Sequence, residues 1–244
     1  MNRILFEKDE IRDGFAEFGG ERARHVVEIL GGTPGQSLKT GEIDGLAGTS
    51  KIVSVSRGES GPTVRVKICH DTEPPAPWAD MILAPPRPRV LKRLLPQLAS
   101  MGAGRIILVA AEKTEKAFWG ATLLKERNWR GLFAEGLVQA GTTAMPKLKI
   151  RRNLKKFLSE ELDAEFPGTK RVVAHPYSGR GTIKNGGRLL LAIGPEGGWT
   201  DEEVDAFAAK GFAPYSLGPR ILKTETAAIA LLARLEDGGG ETAQ

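Results

Sequence analysis

Two loops rich in glycine and proline, both near the end of the sequence, carry the residue types that best suit a ligand-binding site. The first loop, residues 194–198, reads Gly-Pro-Glu-Gly-Gly and follows an apolar run at residues 189–193. Such a run is typical of a strand buried on both faces of a sheet, and the glycines leave backbone N–H and C=O groups open to a ligand. Thr200 and Glu203 form a capping-box pattern, which predicts a helix directly after the loop. Together they predict a crevice at the carboxyl edge of an α/β sheet, although a structural turn would give the same pattern.

The second loop has the same organisation about twenty residues further on. A short apolar segment at residues 215–217 runs into Gly-Pro-Arg-Ile-Leu-Lys at residues 218–223. Thr224 is the predicted N-cap of a helix, and Glu225 lies at the positive end of its dipole. The helix, residues 227–235, is apolar on almost every side, which is typical of a buried helix. Loops that leave adjacent strands in this way are expected to form facing walls of one pocket.

This pair of loops resembles the motifs of the RsmE-type ribosomal RNA small-subunit methyltransferases, which belong to the SPOUT class. The resemblance covers the whole chain and is strongest from about Arg171 onward. It implies S-adenosylmethionine (SAM) as cofactor and methylation of N3 of a uridine in 16S ribosomal RNA. It also implies a fold that periodicity cannot reveal, with a C-terminal trefoil knot in the methyltransferase domain and a small PUA-like β-barrel before it.

The resemblance assigns a role to each segment around the predicted pocket. A third segment, the turn after the predicted strand at residues 171–174, is expected to lie against the adenosine and to act as a wall rather than as a metal site or a base. The predicted cofactor-binding residues are Ala174, His175, Pro176, Ile193, Gly194, Pro195, Glu196, Gly197, Leu217, Gly218, Ile221, Leu222, Lys223 and Thr224.

Methyl transfer to a ring nitrogen that carries a proton requires stabilisation of the anion and in-line positioning of the reacting atoms. The predicted catalytic residues are Arg220, Lys223 and Glu225. The two cations would stabilise negative charge on the uracil carbonyl oxygens. Glu225 is the nearest carboxylate in sequence, but a helix N-terminus favours its charged form, so it is a weak base and serves equally well as a capping residue.

Positive charge is concentrated in the middle of the chain, which favours a polyanionic partner. Residues 75–156 carry 16 basic and 5 acidic side chains, whereas the whole chain has a formal net charge of only +5. Ribosomal RNA or the small ribosomal subunit is the expected partner, and an exposed lysine-rich surface is the alternative. The predicted RNA-binding residues are Arg24, His25, Arg87, Arg89, Lys92, Arg93, Arg151 and Arg152.

Departures from the family pattern keep two other functions open. Gly31 and Met101 stand where the family has an arginine and an acidic residue, and another family arginine is absent near Gln139. The alternatives are an inactive RNA-binding protein on the same fold and a methyltransferase acting on a different RNA position. A nucleotide-binding enzyme is disfavoured, because the glycine loop matches neither a P-loop nor a dinucleotide-binding motif.

Two domains are predicted, an RNA-binding domain at residues 1–73 and a methyltransferase domain at residues 74–244, because 244 residues exceed the usual range for one domain. In the first domain a helix is expected at residues 23–30 and strands at 36–39, 49–56 and 63–68. The second domain alternates strands with helices, which predicts a mostly parallel α/β sheet. Its expected strands are 81–84, 105–110, 171–174, 189–193 and 215–217, and its expected helices are 89–101, 128–140, 154–162, 201–210 and 225–235.

Composition narrows the remaining functional classes. A single cysteine, Cys69, excludes an internal disulfide, and the three histidines lack metal-ligand spacing, so no metal is expected. No apolar run is long enough to cross a bilayer and no signal-peptide pattern is present, so a cytoplasmic protein that does not bind membranes is expected. A homodimer is also predicted, since one sheet covers only one side of the apolar helix at residues 227–235. The alternative is that a second helical layer or the N-terminal domain covers the other side within one chain.

Overall fold

The computed structural model describes residues 3–176 and 187–236, which fall into two compact units. The first unit comprises Met1–Ala76 together with Leu137–Met145, and the second comprises Pro77–Gly136 together with Pro146–Gln244. None of the helices within these described ranges has the length and apolar character needed to cross a membrane.

The first unit contains a seven-stranded sheet and two short helical segments, a 3-10 turn at Lys8–Glu10 and a helix at residues 20–29. Its core is built from alternating inward-facing residues, among them Phe6, Phe18, Val64 and Val66. The strands are β1 (Ile4–Phe6), β2 (Ile11–Arg12), β3 (Phe15–Phe18), β4 (Ser37–Glu42), β5 (Ala47–Gly58), β6 (Gly61–Lys67) and β7 (His70–Thr72). They pair in the order β1-β4-β5-β6-β3-β2, with β7 against β5.

The helix predicted at residues 23–30 begins earlier than expected and does not stay α-helical. It consists of α1 (Gly20–Arg24) followed by one π-helical turn, His25–Ile29. Gly31, at φ +63°, follows the end of this segment in a conformation that favours glycine. Of the strands in this unit, the sequence did not predict β1, β2, β3 or β7.

The division into units differs from the predicted division because Leu137–Met145 returns to the first unit. There the Thr143 hydroxyl donates to the Gly45 carbonyl at 2.6 Å, and the Met145 N–H donates to the Asp44 carboxylate at 2.9 Å. Arg3 Nε donates to the Gly141 carbonyl at 3.0 Å. These bonds join residues about a hundred positions apart, which local sequence patterns cannot indicate.

The second unit contains a six-stranded sheet in which every pair is parallel, so the predicted α/β class is confirmed. Its strands are β8 (Ala79–Leu83), β9 (Ala103–Val109), β10 (Lys147–Arg151), β11 (Lys170–Ala174), β12 (Leu189–Ile193) and β13 (Ala213–Tyr215). They follow the order β10-β9-β8-β12-β11-β13. The sequence did not predict β10, an edge strand in which lysines and an arginine alternate with only two apolar residues.

The α-helices of the second unit are α2 (Pro88–Ser100), α3 (Glu126–Ala140, of which Leu137–Ala140 belongs to the first unit), α4 (Leu154–Lys156), α5 (Leu162–Glu165), α6 (Asp201–Ala209) and α7 (Thr224–Glu236). Two short 3-10 helices, Lys116–Gly120 and Thr122–Leu124, precede α3. A π-helical turn, Phe157–Glu161, joins α4 to α5. Successive residues of β8 face opposite sides of the sheet, so Ile82 packs with Phe157 and Phe207 in one cluster. Helices α2 and α7 contact each other, with α2 also against β9 and α7 against β12.

The burial of α7 corrects one part of the argument for a homodimer. Leu232 has an exposed fraction of 0% and Leu231 of 2%, so these side chains are interior within a single chain. Contact of α7 with both β12 and α2 supplies a second helical layer, which was the stated alternative to a partner chain. Ile229 is the large apolar side chain of α7 that stays partly exposed, beside the small residues Ala230 and Ala233.

A buried ion cluster fixes the amino edge of the sheet, opposite the edge where the loops meet. Asp80 is fully buried at the start of β8. Its carboxylate accepts hydrogen bonds from Arg105 Nη2 at 2.6 Å and from Arg188 Nη2 at 2.5 Å. Two arginines therefore compensate the cost of burying this charge.

Candidate functional site

One pocket of about 530 Å³ opens at the carboxyl edge of the second sheet, where the loops after β11, β12 and β13 meet. This is the edge at which open α/β sheets usually bind ligands. Its lining residues are Lys113, Ala174, His175, Pro176, Gly194, Pro195, Glu196, Gly197, Gly198, Trp199, Asp201, Tyr215, Ser216, Leu217, Gly218, Arg220, Ile221, Leu222, Thr224, Ala227 and Leu231.

The loop after β12 is held in a tight conformation by its neighbours. A Cβ atom on Gly194 would lie 3.2 Å from the Trp199 indole, so a larger residue would displace that ring. The Gly198 N–H donates to the Pro195 carbonyl at 2.8 Å, and Gly198 adopts φ +70°. The predicted capping box is confirmed, because Thr200 Oγ1 accepts from the Glu203 N–H while the Glu203 carboxylate accepts from the Thr200 N–H.

The loop after β13 is fixed to the loop after β11. Ser216 Oγ lies 3.1 Å from the carbonyl oxygens of Pro176 and Gly218, and it accepts from the Gly218 N–H at 3.2 Å. Gly218 adopts φ +132°, a conformation that favours glycine. The His175 N–H donates to the Tyr215 carbonyl at 3.1 Å. The two loops therefore form one continuous wall.

Thr224 connects this wall to the glycine loop, which corrects its predicted role. It was predicted as an N-cap, but it is the first residue of α7 and is buried. Its hydroxyl donates to the Gly194 carbonyl at 3.3 Å. The three segments are thus linked by hydrogen bonds before any ligand enters.

Most of the predicted cofactor-binding residues line this pocket, as does Arg220 of the predicted catalytic set. The predicted residues outside the lining are Ile193, which is buried within β12, and Lys223 and Glu225 at the start of α7. Lys223 instead accepts a backbone hydrogen bond from Ala227 at 2.8 Å. The structure therefore brings one predicted catalytic cation into the pocket and leaves the other outside it.

Several lining residues were not predicted. Gly198 ends the glycine loop and Trp199 and Asp201 follow it. Tyr215 ends β13 and Ser216 follows that strand, while Ala227 and Leu231 lie one and two turns into α7. Helical spacing from Thr224 would have indicated the last two. Lys113 follows β9 and is about eighty residues from the glycine loop, so only the strand order places it there.

The electrostatics beside the glycine loop favour negative charge. The pKa of the Glu202 carboxyl is held below its usual range, first because it accepts a hydrogen bond from its own backbone N–H and then from the Thr200 side chain. The dipole of α6 acts in the same direction. Within the described part of the chain, His, Cys, Asp and Glu side chains form no cluster of three that would hold a metal ion.

The predicted RNA-binding residues lie in different environments. Arg24, Arg89, Lys92 and Arg93 are exposed on α1 and α2, whereas His25 is half-buried with its Nε2 atom enclosed. Arg87 is exposed and lies 3.6 Å from the Glu196 carboxylate at the pocket.

The last two predicted RNA-binding residues differ in how their charges are compensated. Arg151 pairs with Glu161 at 2.6 Å and with Glu165 at 3.7 Å, so its charge is largely neutralised. The Arg152 guanidinium lies 5.6 Å from the ring centroid of Trp119 and is exposed. Arg152 is therefore the better candidate for a contact with a phosphate or a base.

Comparison with known proteins places these features in one family. A family model described as an RNA methyltransferase domain matches residues 72–236. The ribosomal RNA small subunit methyltransferase E of Treponema pallidum is 30% identical over 240 residues, which cover 96% of this chain and 90% of the relative. The ribosomal RNA small subunit methyltransferase E 1 of Borreliella burgdorferi is 28% identical, and the match covers 94% of this chain and 95% of the relative.

Solved structures agree with this assignment. A Legionella pneumophila methyltransferase in complex with SAM superimposes with a TM-score of 0.77 at 26% identity, and 98% of each chain is covered. A ribosomal RNA small subunit methyltransferase E from Neisseria gonorrhoeae, also bound to SAM, gives a TM-score of 0.77 at 21% identity over the full length of both chains. On the sequence match and the loops that form the pocket, the chain belongs to the RNA methyltransferase family.

Proposed function

We propose that this protein transfers the methyl group of SAM to N3 of a uridine in 16S ribosomal RNA. The observation that carries the proposal is the pocket itself, which is formed by three loops linked by hydrogen bonds and has Arg220 in its lining. The curated relatives, named as ribosomal RNA small subunit methyltransferases, and the SAM-bound neighbours support the substrate and the cofactor.

The pocket suits SAM in size and in chemistry. Its volume of about 530 Å³ lies within the usual range for small-molecule sites. Ile221 and Leu222 line it with exposed fractions of 69% and 38%, so a flat apolar ligand such as adenine would cover them. The nearby loop backbones supply polar groups for the ribose and the amino-acid part of the cofactor.

The reaction requires N3 to lose its proton to solvent water and then to attack the methyl carbon. The bond between N3 and the methyl carbon forms as the bond from that carbon to sulfur breaks, and the electron pair stays on sulfur to give S-adenosylhomocysteine. Arg220 is the residue we assign to stabilise the uracil anion, because it lines the pocket on an exposed loop. Lys223 and Glu225 lie outside the lining, and we assign neither of them as the base.

Binding of RNA is assigned to the exposed cations. Arg87, Arg89, Lys92, Arg93 and Arg152 of the second unit would contact phosphates or bases, and Arg24 of the first unit would add another contact. Arg151 contributes less, since two carboxylates already pair with it. An imidazole as enclosed as that of His25 is better suited to packing.

The test of the proposed function is methylation of ribosomal RNA from cells that lack the protein. Purified protein and radiolabelled SAM are expected to modify 16S RNA from these cells, or its small subunits, and to leave RNA from normal cells unmodified. Mapping of the product should locate the methyl group at N3 of one uridine. Methylation at a different position would contradict the assigned target, and binding of RNA without methylation would favour the inactive RNA-binding alternative.

We extend the proposal to the finer features of the fold and to localisation. The first unit is assigned as a PUA-like barrel, and the second as a SPOUT domain with a C-terminal trefoil knot. Support for the knot comes from the resemblance of the loops after β12 and β13 to the motifs of this class of methyltransferase. A cytoplasmic location accords with an RNA substrate.

A homodimer is the assembly we propose. The partly exposed side of α7 at Ile229, together with the exposed apolar residues Ile221 and Leu222, would lie at or near the interface. Light scattering is expected to report twice the chain mass of 26.3 kDa. Ile229→Asp should shift the mass toward the monomer, whereas Leu232→Asp would unfold the chain because Leu232 is fully buried. A wild-type protein that is monomeric and fully active would contradict the dimer.

A further inference from the structure

Lys113 lies in the turn after β9, and its side chain reaches the glycine loop at the pocket lining. Its ammonium nitrogen donates to the Gly197 carbonyl at 3.2 Å and lies 3.4 Å from the Trp199 carbonyl. The side-chain stem packs on Gly197, where a Cβ atom would lie 3.2 Å from Lys113 Cδ. Gly197 is therefore kept free of a side chain at the point where the lysine crosses the loop.

A buried carboxylate holds the segment that carries this lysine. Glu203 has an exposed fraction of 3%, and its Oε1 atom accepts from the Glu112 N–H at 2.8 Å. Its Oε2 atom accepts from the Thr200 N–H at 3.0 Å, within the capping box of α6. The same side chain therefore starts α6 and ties the end of the β9 segment to the glycine loop.

We propose that Lys113 is a positioning residue that preorganises the glycine loop for the cofactor. The inference rests on the proposed function and concerns the same pocket. Three glycines in residues 194–198 make the loop costly to order. Two charge-assisted hydrogen bonds from Lys113, on a segment fixed by Glu203, restrict its conformations before SAM arrives.

The position of Lys113 in the pocket lining also allows a direct contact with the cofactor carboxylate, and two ligands distinguish these roles. S-adenosylhomocysteine carries that carboxylate, whereas 5′-methylthioadenosine lacks the whole amino-acid part. Loss of a positioning residue lowers the affinity for both ligands by the same factor, because both need the ordered loop. Loss of a residue that binds the carboxylate lowers the affinity only for S-adenosylhomocysteine.

The experiment is calorimetric titration of the full chain with each ligand. Lys113→Met keeps the apolar stem and removes the charge. We therefore expect it to raise the Kd for each ligand about tenfold and to leave Tm unchanged. Lys113→Arg should restore most of the affinity. Lys125→Met, at an exposed lysine outside the pocket, is the matched control and should bind like the wild type.

A second variant tests the same contact from the other side. Gly197→Ala places a methyl group against the Lys113 stem, so we expect it to lower the affinity for both ligands. In the double variant with Lys113→Met the two losses of affinity should not add. Wild-type affinity in Lys113→Met, or a loss confined to S-adenosylhomocysteine, would overturn the positioning role. A folded wild-type protein that binds neither ligand would instead overturn the proposed function, on which the inference depends.

Discussion

Replacing Arg220 with methionine is expected to lower kcat for RNA methylation by about 100- to 1000-fold, the usual cost of losing one group that stabilises a developing oxyanion. Arg220 lines the pocket and its side chain is exposed, so it is available to a uracil carbonyl oxygen. Lys223, the other cation of this loop, lies outside the pocket lining. The loss should therefore appear in single-turnover kinetics, while the Kd for SAM changes by no more than about threefold.

The controls for this prediction separate charge from folding. Arg220→Lys keeps a positive charge on a shorter side chain and should recover part of the lost rate. Arg234→Met removes an exposed arginine from the last turn of α7, outside the pocket lining, and should leave kcat unchanged. If Arg220→Met raises KM for RNA and leaves kcat intact, Arg220 is a binding residue and the assigned catalytic role is wrong.

The sequence located the main walls of the pocket because their patterns are local. The apolar run, the glycines and the capping box at Thr200 and Glu203 together predict a strand, a loop and a helix start, and β12 and α6 begin where expected. The two loops were predicted to leave adjacent strands, which is wrong, because β11 lies between β12 and β13. Parallel strands nevertheless bring both loops to one edge, so they face one pocket. The structure places most of their predicted residues in its lining.

Local sequence patterns could not predict residues whose position in the site depends on strand order. Lys113 reaches the glycine loop only because β8 and β9 lie in succession beside β12. Leu137–Met145 belongs to the first unit through hydrogen bonds to residues such as Gly45, far away in sequence. No periodicity or turn signal carries information about such distant contacts.

Residue types alone could not predict which side chains are buried or which charges are paired. The apolar surface of α7 indicated a missing partner, but α2 of the same chain covers Leu232. Arg151 and Arg152 have the same side-chain type, yet carboxylates neutralise one while the other lies over Trp119. A count of basic residues therefore overestimates the number of cations available to RNA.

Gly218→Val is expected to weaken SAM binding about 10- to 100-fold without lowering Tm by more than about 2 °C. Gly218 adopts φ +132°, and a β-branched residue there costs on the order of 1–3 kcal/mol of backbone strain. No other heavy atom lies within 4 Å of a Cβ atom built at Gly218, so there is no clash to unfold the chain. The unliganded loop relaxes to relieve the strain, and the cost returns when SAM requires the original conformation.

Gly211 supplies the matched control for this prediction. It adopts φ +76° in the turn between α6 and β13, also with no atom within 4 Å of a Cβ atom, and it lies outside the pocket lining. Gly211→Val therefore introduces similar strain at a position away from the cofactor. It should lower Tm while the Kd for SAM stays at the wild-type value, because its turn does not relax independently of the two elements it joins. Equal losses of SAM affinity in both variants would mean that general destabilisation, and not the Gly218 loop, controls binding.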